Sequence, residues 1–184
     1  RTEQALFFCA GTNMIHLTDA AAISLAGQLG HAVAVGTFTF NHFLMQRTTT
    51  GGEFTGASFR VSDSAFIECP DDSANFVDGD NDALYLWSGN HNFTNTLFGF
   101  TKDDGIDSGG EGPGVLTYTN CWFESVFHEG NSLSGTNKFA NHHHTVFMNC
   151  GQAIEAGYSA AAGDLGPTGN LFDCLSTANL IGAR

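Results

Sequence analysis

The chain has 184 residues, 42% of them hydrophobic, with 17 Phe, 23 Gly and only 3 Pro. That is enough for one domain with a sizeable core, and it is neither a disordered nor a membrane composition. Six Lys+Arg against 19 Asp+Glu leave a formal net charge of −13, a surface that repels nucleic acid and anionic lipid and suits cations, neutral sugars, or acidic polymers bridged by metal ions.

In chain order, residues 1–37 are the least regular. Ile15 to Leu17 and Ile23 to Leu25 read as early coils of a repeat or as a cap over its core. The most apolar region, Ala20 to Phe40, is interrupted by Ser24, Gln28, His31 and several Gly. No apolar run reaches the roughly 20 residues that span a bilayer, so it reads as a core segment. The chain begins with Arg1 and shows no signal-peptide pattern, so we expect a processed chain or part of a longer one. Five Cys (Cys9, Cys69, Cys121, Cys150, Cys174) form no CxxC. They indicate neither a zinc ribbon nor a full disulfide framework, and Cys69 and Cys150 are expected to be small buried hydrophobes in one ladder column.

From residue 38 onward the sequence repeats. Val61–Phe66, Phe93–Phe98 and Tyr118–Phe123 share a pattern of apolar, small, Asn or Asp, two residues, Phe. Phe38–Phe43 and His142–Phe147 are looser copies, and the closing Phe residues lie 23, 32, 25 and 24 apart. A second ladder starts at Asn81, Asp103, His128 and Gly151, in steps of 22, 25 and 23. This period, with short strands broken by Gly, Asn and Asp, indicates a solenoid. A Leu-x-x-Leu-x-Leu frame is absent, and Gly and Asn interrupt every helical candidate. The expectation is an all-β fold, a parallel β-helix with coils of about 22–25 residues stacked about 4.8 Å apart. Phe43, Phe66, Phe98, Phe123 and Phe147 would form an inner ladder. Asp63, Asn95 and Asn120 would occupy a turn, where Asn tolerates left-handed backbone. One domain is expected over 1–184.

In this form the chain resembles the right-handed parallel β-helix, or pectate-lyase-like, superfamily over roughly residues 38–184. The resemblance implies an extracellular protein acting on polysaccharide. Ala178 to Arg184 reads as the opening of another coil, so a further domain or subunit is expected to cover this end.

Residues one period apart become neighbours, which brings Asp82, Asp103, Asp104, His128 and Glu129 together, with Asp107 nearby. The order Asn81-Asp82, Asp103-Asp104, His128-Glu129-Gly130 resembles polygalacturonase-type glycoside hydrolases. The resemblance makes Asp104 the general acid, gives Asp82 and Asp103 the attacking water, and lets His128 tune the acid. Crowded carboxylates fit that chemistry, because one must hold a proton while another stays ionised. Asn81 and Asp82 are adjacent where the family separates them, and the later Arg-x-Lys of the family has no match.

Calcium is the expected cofactor. Asp71 and Asp72 precede a dense run, Asp78, Asp80 and Asp82, with the oxygen content calcium needs. In a lyase alternative Lys102 would be the base. Tyr85, Trp87 and His91 are expected to contact sugar, with Lys102, Asp107 and Glu129. Three consecutive His at 142–144 suggest a metal, but alternation turns neighbours to opposite sides, so ladder and turn roles are expected instead. Thr39, Thr94 and Thr119 are expected in one outer column. A non-catalytic module that binds glycan or protein, or serves assembly, is the competing function.

Overall fold

The computed structural model describes residues 5–9, 11, 12, 14–25, 27–32, 36–69, 81–110, 112–157 and 165–183, without the side chains of 8, 9, 31 and 32. No helix occurs among them. The strands are β1 (Ala5–Cys9), β2 (Met14–Ile23), β3 (Gln28–Ala32), β4 (Thr37–Gln46), β5 (Thr50–Phe54), β6 (Ser58–Ser62) and β7 (Ala65–Cys69). They continue as β8 (Leu84–Leu86), β9 (Gly89–Thr94), β10 (Leu97–Thr101), β11 (Ile106–Asp107), β12 (Gly114–Thr119), β13 (Trp122–Glu124) and β14 (Glu129–Ser132). The last are β15 (Lys138–His143), β16 (Val146–Met148), β17 (Gln152–Glu155), β18 (Thr168–Phe172), β19 (Leu175–Thr177) and β20 (Ile181–Ala183).

Every pairing is parallel and joins one coil to the next, so the chain is a parallel β-solenoid. An eight-stranded sheet, β1-β3-β5-β8-β11-β14-β17-β20, forms the first face. A twelve-stranded sheet bends into two further faces, with the long β4 pairing β6 through its first half and β7 through its second. The second face holds β6, β9, β12, β15 and β18, and the third holds β7, β10, β13, β16 and β19.

The bend between these faces is a column of left-handed residues: Asp19, His42, Asp63, Asn95, Asn120, His144 and Asp173, with φ between 49° and 53°. Five of the seven are Asp or Asn, whose short polar side chains make this conformation cheap. The side chains also bond along the column, Asn95 Nδ2 to Asp63 Oδ1 at 2.9 Å and Asn120 Nδ2 to Asn95 Oδ1 at 3.2 Å. A second left-handed column follows five residues later, at Ser24, Arg47, Glu68, Phe100, Ser125, Asn149 and Ala178.

The lumen is packed with aromatic ladders. Phe66, Phe98, Phe123 and Phe147 stack at centroid distances of 5.6, 5.1 and 4.9 Å. The residue that continues this column is Met45, not Phe43. Phe40 likewise pairs with Val61, so the repeat copy in β4 runs from residue 40 to 45. A two-residue displacement preserves inside and outside, which hides it from the alternation. The same displacement removes Thr39 from the column of Thr94 and Thr119, since Thr39 pairs with Arg60. Beside the Phe ladder, Phe93, Tyr118 and His142 stack at 5.3 and 4.4 Å.

Candidate acid–base corner

The first face meets the third at a corner where the second ladder converges. Ile106 pairs with Leu84 and Asn131, and Glu129 with Gln152, so Asp82, Asp104, Glu129 and Gln152 form one column. Glycines follow two of them. A Cβ on Gly105 would lie 2.8 Å from the Phe123 ring, and one on Gly130 would lie 2.9 Å from Phe147. Those two glycine positions face the lumen.

The carboxylates reach little solvent, because each is covered by the next coil. Asp82, Asp104 and Glu129 are 1%, 5% and 1% exposed. Asp82 Oδ1 accepts the Asp104 backbone N–H at 3.0 Å, and Asp104 Oδ1 accepts that of Glu129 at 2.8 Å. Glu129 Oε1 in turn accepts the Gln152 amide. The carboxylates that the coil spacing brings together thus form a buried ladder with one accessible edge.

That edge is His128, whose side chain is 49% exposed. Its Nδ1 lies 2.6 Å from Glu129 Oε2, 3.4 Å from Asp103 Oδ1 and 3.7 Å from Asp104 Oδ1. Burial raises the Asp104 carboxyl well above its ordinary range, and the neighbouring Asp82 and Glu129 carboxylates raise it further. Burial raises Glu129 as well, against hydrogen bonding from Asp104 and the charge of His128. Asp104 thus holds its proton more tightly than an ordinary carboxyl, beside an imidazole whose side chain reaches solvent.

The remaining expected site residues divide. Asp107 pairs with Tyr85 and Ser132 on the first face and accepts the Ser134 hydroxyl at 3.1 Å. Its charge also raises Asp104. Tyr85 and Trp87 are half-buried, with ring centroids 6.0 Å apart, and Gly109 and Gly110 press against them. Lys102 is half-buried and precedes Asp103, with its backbone N–H on the Cys69 carbonyl.

His91 stands apart from the corner. It is 1% exposed in the lumen, with its ring 5.8 Å from Phe59, because residues 89–94 alternate into the core as a strand of the second face. Asp71, Asp72, Asp78 and Asp80 lie outside the described residues.

Among the described residues the one metal-compatible cluster is Asp103, Asp104 and His128, with ligand atoms within 4.8 Å of one another. Two carboxylates and an imidazole suit a transition ion better than calcium, which prefers oxygen. The His142–His144 run is no metal site. His142 Nε2 donates to Asn131 Oδ1 across the lumen at 3.1 Å, and burial pulls its pKa down to about 3. His143 stacks on Phe172 at 4.7 Å, and His144 is a left-handed corner. Cys69, Cys121, Cys150 and Cys174 are free thiols, and burial pushes Cys69 up to about 12 and Cys121 to about 11.

Lys138, fully buried where β15 begins, is the polar residue the repeat pattern passed over. It follows Ala57, Gly89 and Gly114 in its column, and that break in small-residue usage is the signal that marks it. Comparisons with protein-family models, with curated proteins and with solved structures find no match for this chain.

Proposed function

We propose that the corner formed by Asp82, Asp103, Asp104, His128 and Glu129 is an acid–base site for hydrolysis of a polysaccharide, on an extracellular solenoid of the pectate-lyase-like kind. The observation that carries this reading is that one nitrogen of a half-exposed imidazole has three carboxyl groups within 3.7 Å. Asp104 supplies the proton, Glu129 fixes the ring of His128, and Asp103 is the second carboxyl beside that ring. A protonated and an ionised carboxyl are what glycosidic cleavage requires. Calcium on Asp78, Asp80 and Asp82 remains part of the reading, as a clamp on the segment before β8.

A second reading is supported by the bonds of Asp82 and Asp104 to main-chain N–H groups, which are a structural use of carboxylates. On that reading the solenoid is a non-catalytic module for glycan or protein. A polysaccharide panel with calcium present, scored for reducing ends and for unsaturated products, separates the two. Reducing ends from wild type and none from a folded Asp104→Asn variant are expected. Turnover retained in the variant removes Asp104 as the acid. Unsaturated products move the reading to a lyase with Lys102 as the base. Silence from a cooperatively melting wild type leaves the binding module.

A further inference from the structure

The second face differs in charge from the other two. None of its strands β6, β9, β12, β15 and β18 contains an acidic residue, in a chain that carries 19 of them. The strands of the first face hold Glu53, Asp107, Glu129 and Glu155, and those of the third hold Glu68 and Glu124.

Alternation sets what the second face shows to solvent. Phe59, Val61, His91, Phe93, Leu116 and Tyr118 are buried, so the residues between them point outward. Along the centre, Thr39, Arg60, Asn92, Thr117, Asn141 and Asn170 stand in one column. Ser62, Thr94 and Thr119 stand in the next. Arg60 is exposed and is the one Lys or Arg turned outward, because Lys138 at the start of β15 is fully buried. Asn170 donates to Asn141 at 3.0 Å, whereas Arg60, Asn92 and Thr117 make no side-chain hydrogen bond among the described residues. A groove of about 320 Å³ opens at this place, lined by Thr39, Arg60, Val61, Ser62, Asn92 and Thr94. A second groove, of about 340 Å³, has Asn90 on its wall, two residues before Asn92 on β9.

This is a surface of hydroxyls, amides and one guanidinium, mostly on short side chains held by a sheet, so little freedom is lost when they bind. It repeats with the coils, about every 4.8 Å, close to the rise of one sugar unit in an extended glycan. We propose that the second face binds a neutral polysaccharide lying along the solenoid axis, with Arg60 and Asn92 donating to its hydroxyl oxygens and Thr94 and Thr117 beside them. Charge selects the class. A polyanion needs several cations, and this face offers one on a chain at −13. A protein partner needs an aromatic or apolar anchor at the centre of its contact, and the central column has none. The surface is independent of the acid corner, which lies across the solenoid between the first and third faces.

The test is depletion of the protein from solution at pH 7 by insoluble cellulose, chitin, mannan and starch, with crosslinked polygalacturonate as the anionic control. At least one neutral polymer is expected to retain the wild type. Retention should be undiminished in about 1 M sodium chloride, where the Debye length is about 3 Å. Arg60→Ala combined with Asn92→Ala, both at exposed positions, is expected to weaken that binding about tenfold with Tm unchanged. No retention by any of the neutral polymers overturns the proposal. Retention by polygalacturonate alone does so too, since the ligand would then be an anion. An undiminished affinity in the double variant also overturns it. Loss in Trp122→Ala, an exposed ring on the third face, or in Asp104→Asn would then show where the glycan sits instead. Binding is read without turnover, so an inactive acid corner leaves each of these outcomes intact.

Discussion

At the scale of single residues, Asp104 joins structure to chemistry. Its Oδ1 accepts the Glu129 N–H, and an Asn side chain can make the same bond, whereas Ala cannot. Asp104→Ala should therefore cost about 1–3 kcal/mol through an unsatisfied buried donor. Asp104→Asn should fold normally. Its folded pKa lies above the unfolded value of about 3.9, so the folded chain binds more protons between the two values. The stability from protonated Asp104 is fully present below about pH 4 and is lost as pH rises through the raised value. Asn mimics the protonated form, so urea midpoints from pH 4 to 8 should fall less in Asp104→Asn than in wild type. Parallel curves would show that Asp104 ionises normally, and the acid role would go with them.

At the scale of the coil, what the sequence discloses depends on whether a position has a chemical preference. The bend through Asp63, Asn95 and Asn120 is legible because left-handed backbone favours Asn and Asp. The bend five residues later carries Ser, Arg, Glu, Phe, Asn and Ala, which no composition rule detects. The acid corner is legible from steps of 22 and 25, since parallel coils turn sequence spacing into contact. Its burial is not, because burial depends on how closely each coil covers the last. Phe43 stands where the pattern expects the ladder residue and Met45 fills that place, because a shift of two keeps every side chain on its side. Lys138 was passed over because a single break in a small-residue column has no periodic signature.

The second bend carries its own prediction. Phe100 adopts φ 54° while 45% exposed, so it bears the steric cost of left-handed backbone with little burial in return. Phe100→Asn should raise stability by about 1 kcal/mol. An unchanged or lower urea midpoint would mean that the ring makes compensating contacts.

At the scale of the whole molecule, each coil touches only its neighbours, so stability is close to a sum of coils and interfaces. A central position has two interfaces and a terminal one has fewer. Phe123 is fully buried and stacked on both sides, by Phe98 at 5.1 Å and Phe147 at 4.9 Å. Leu175, on the third face of the last complete coil, is 55% exposed, and Phe172 and Leu180 beside it are 50% and 87% exposed. Phe123→Ala should therefore cost about 3–5 kcal/mol, in the range for an aromatic removed from a core. Leu175→Ala should stay within about 0.5 kcal/mol, as for a surface position. Amide exchange should follow the same order, slow in β10 and β13 and fast in β18, β19 and β20. Comparable costs at the two positions, with slow exchange in β19, would mean that something covers the last coil in solution.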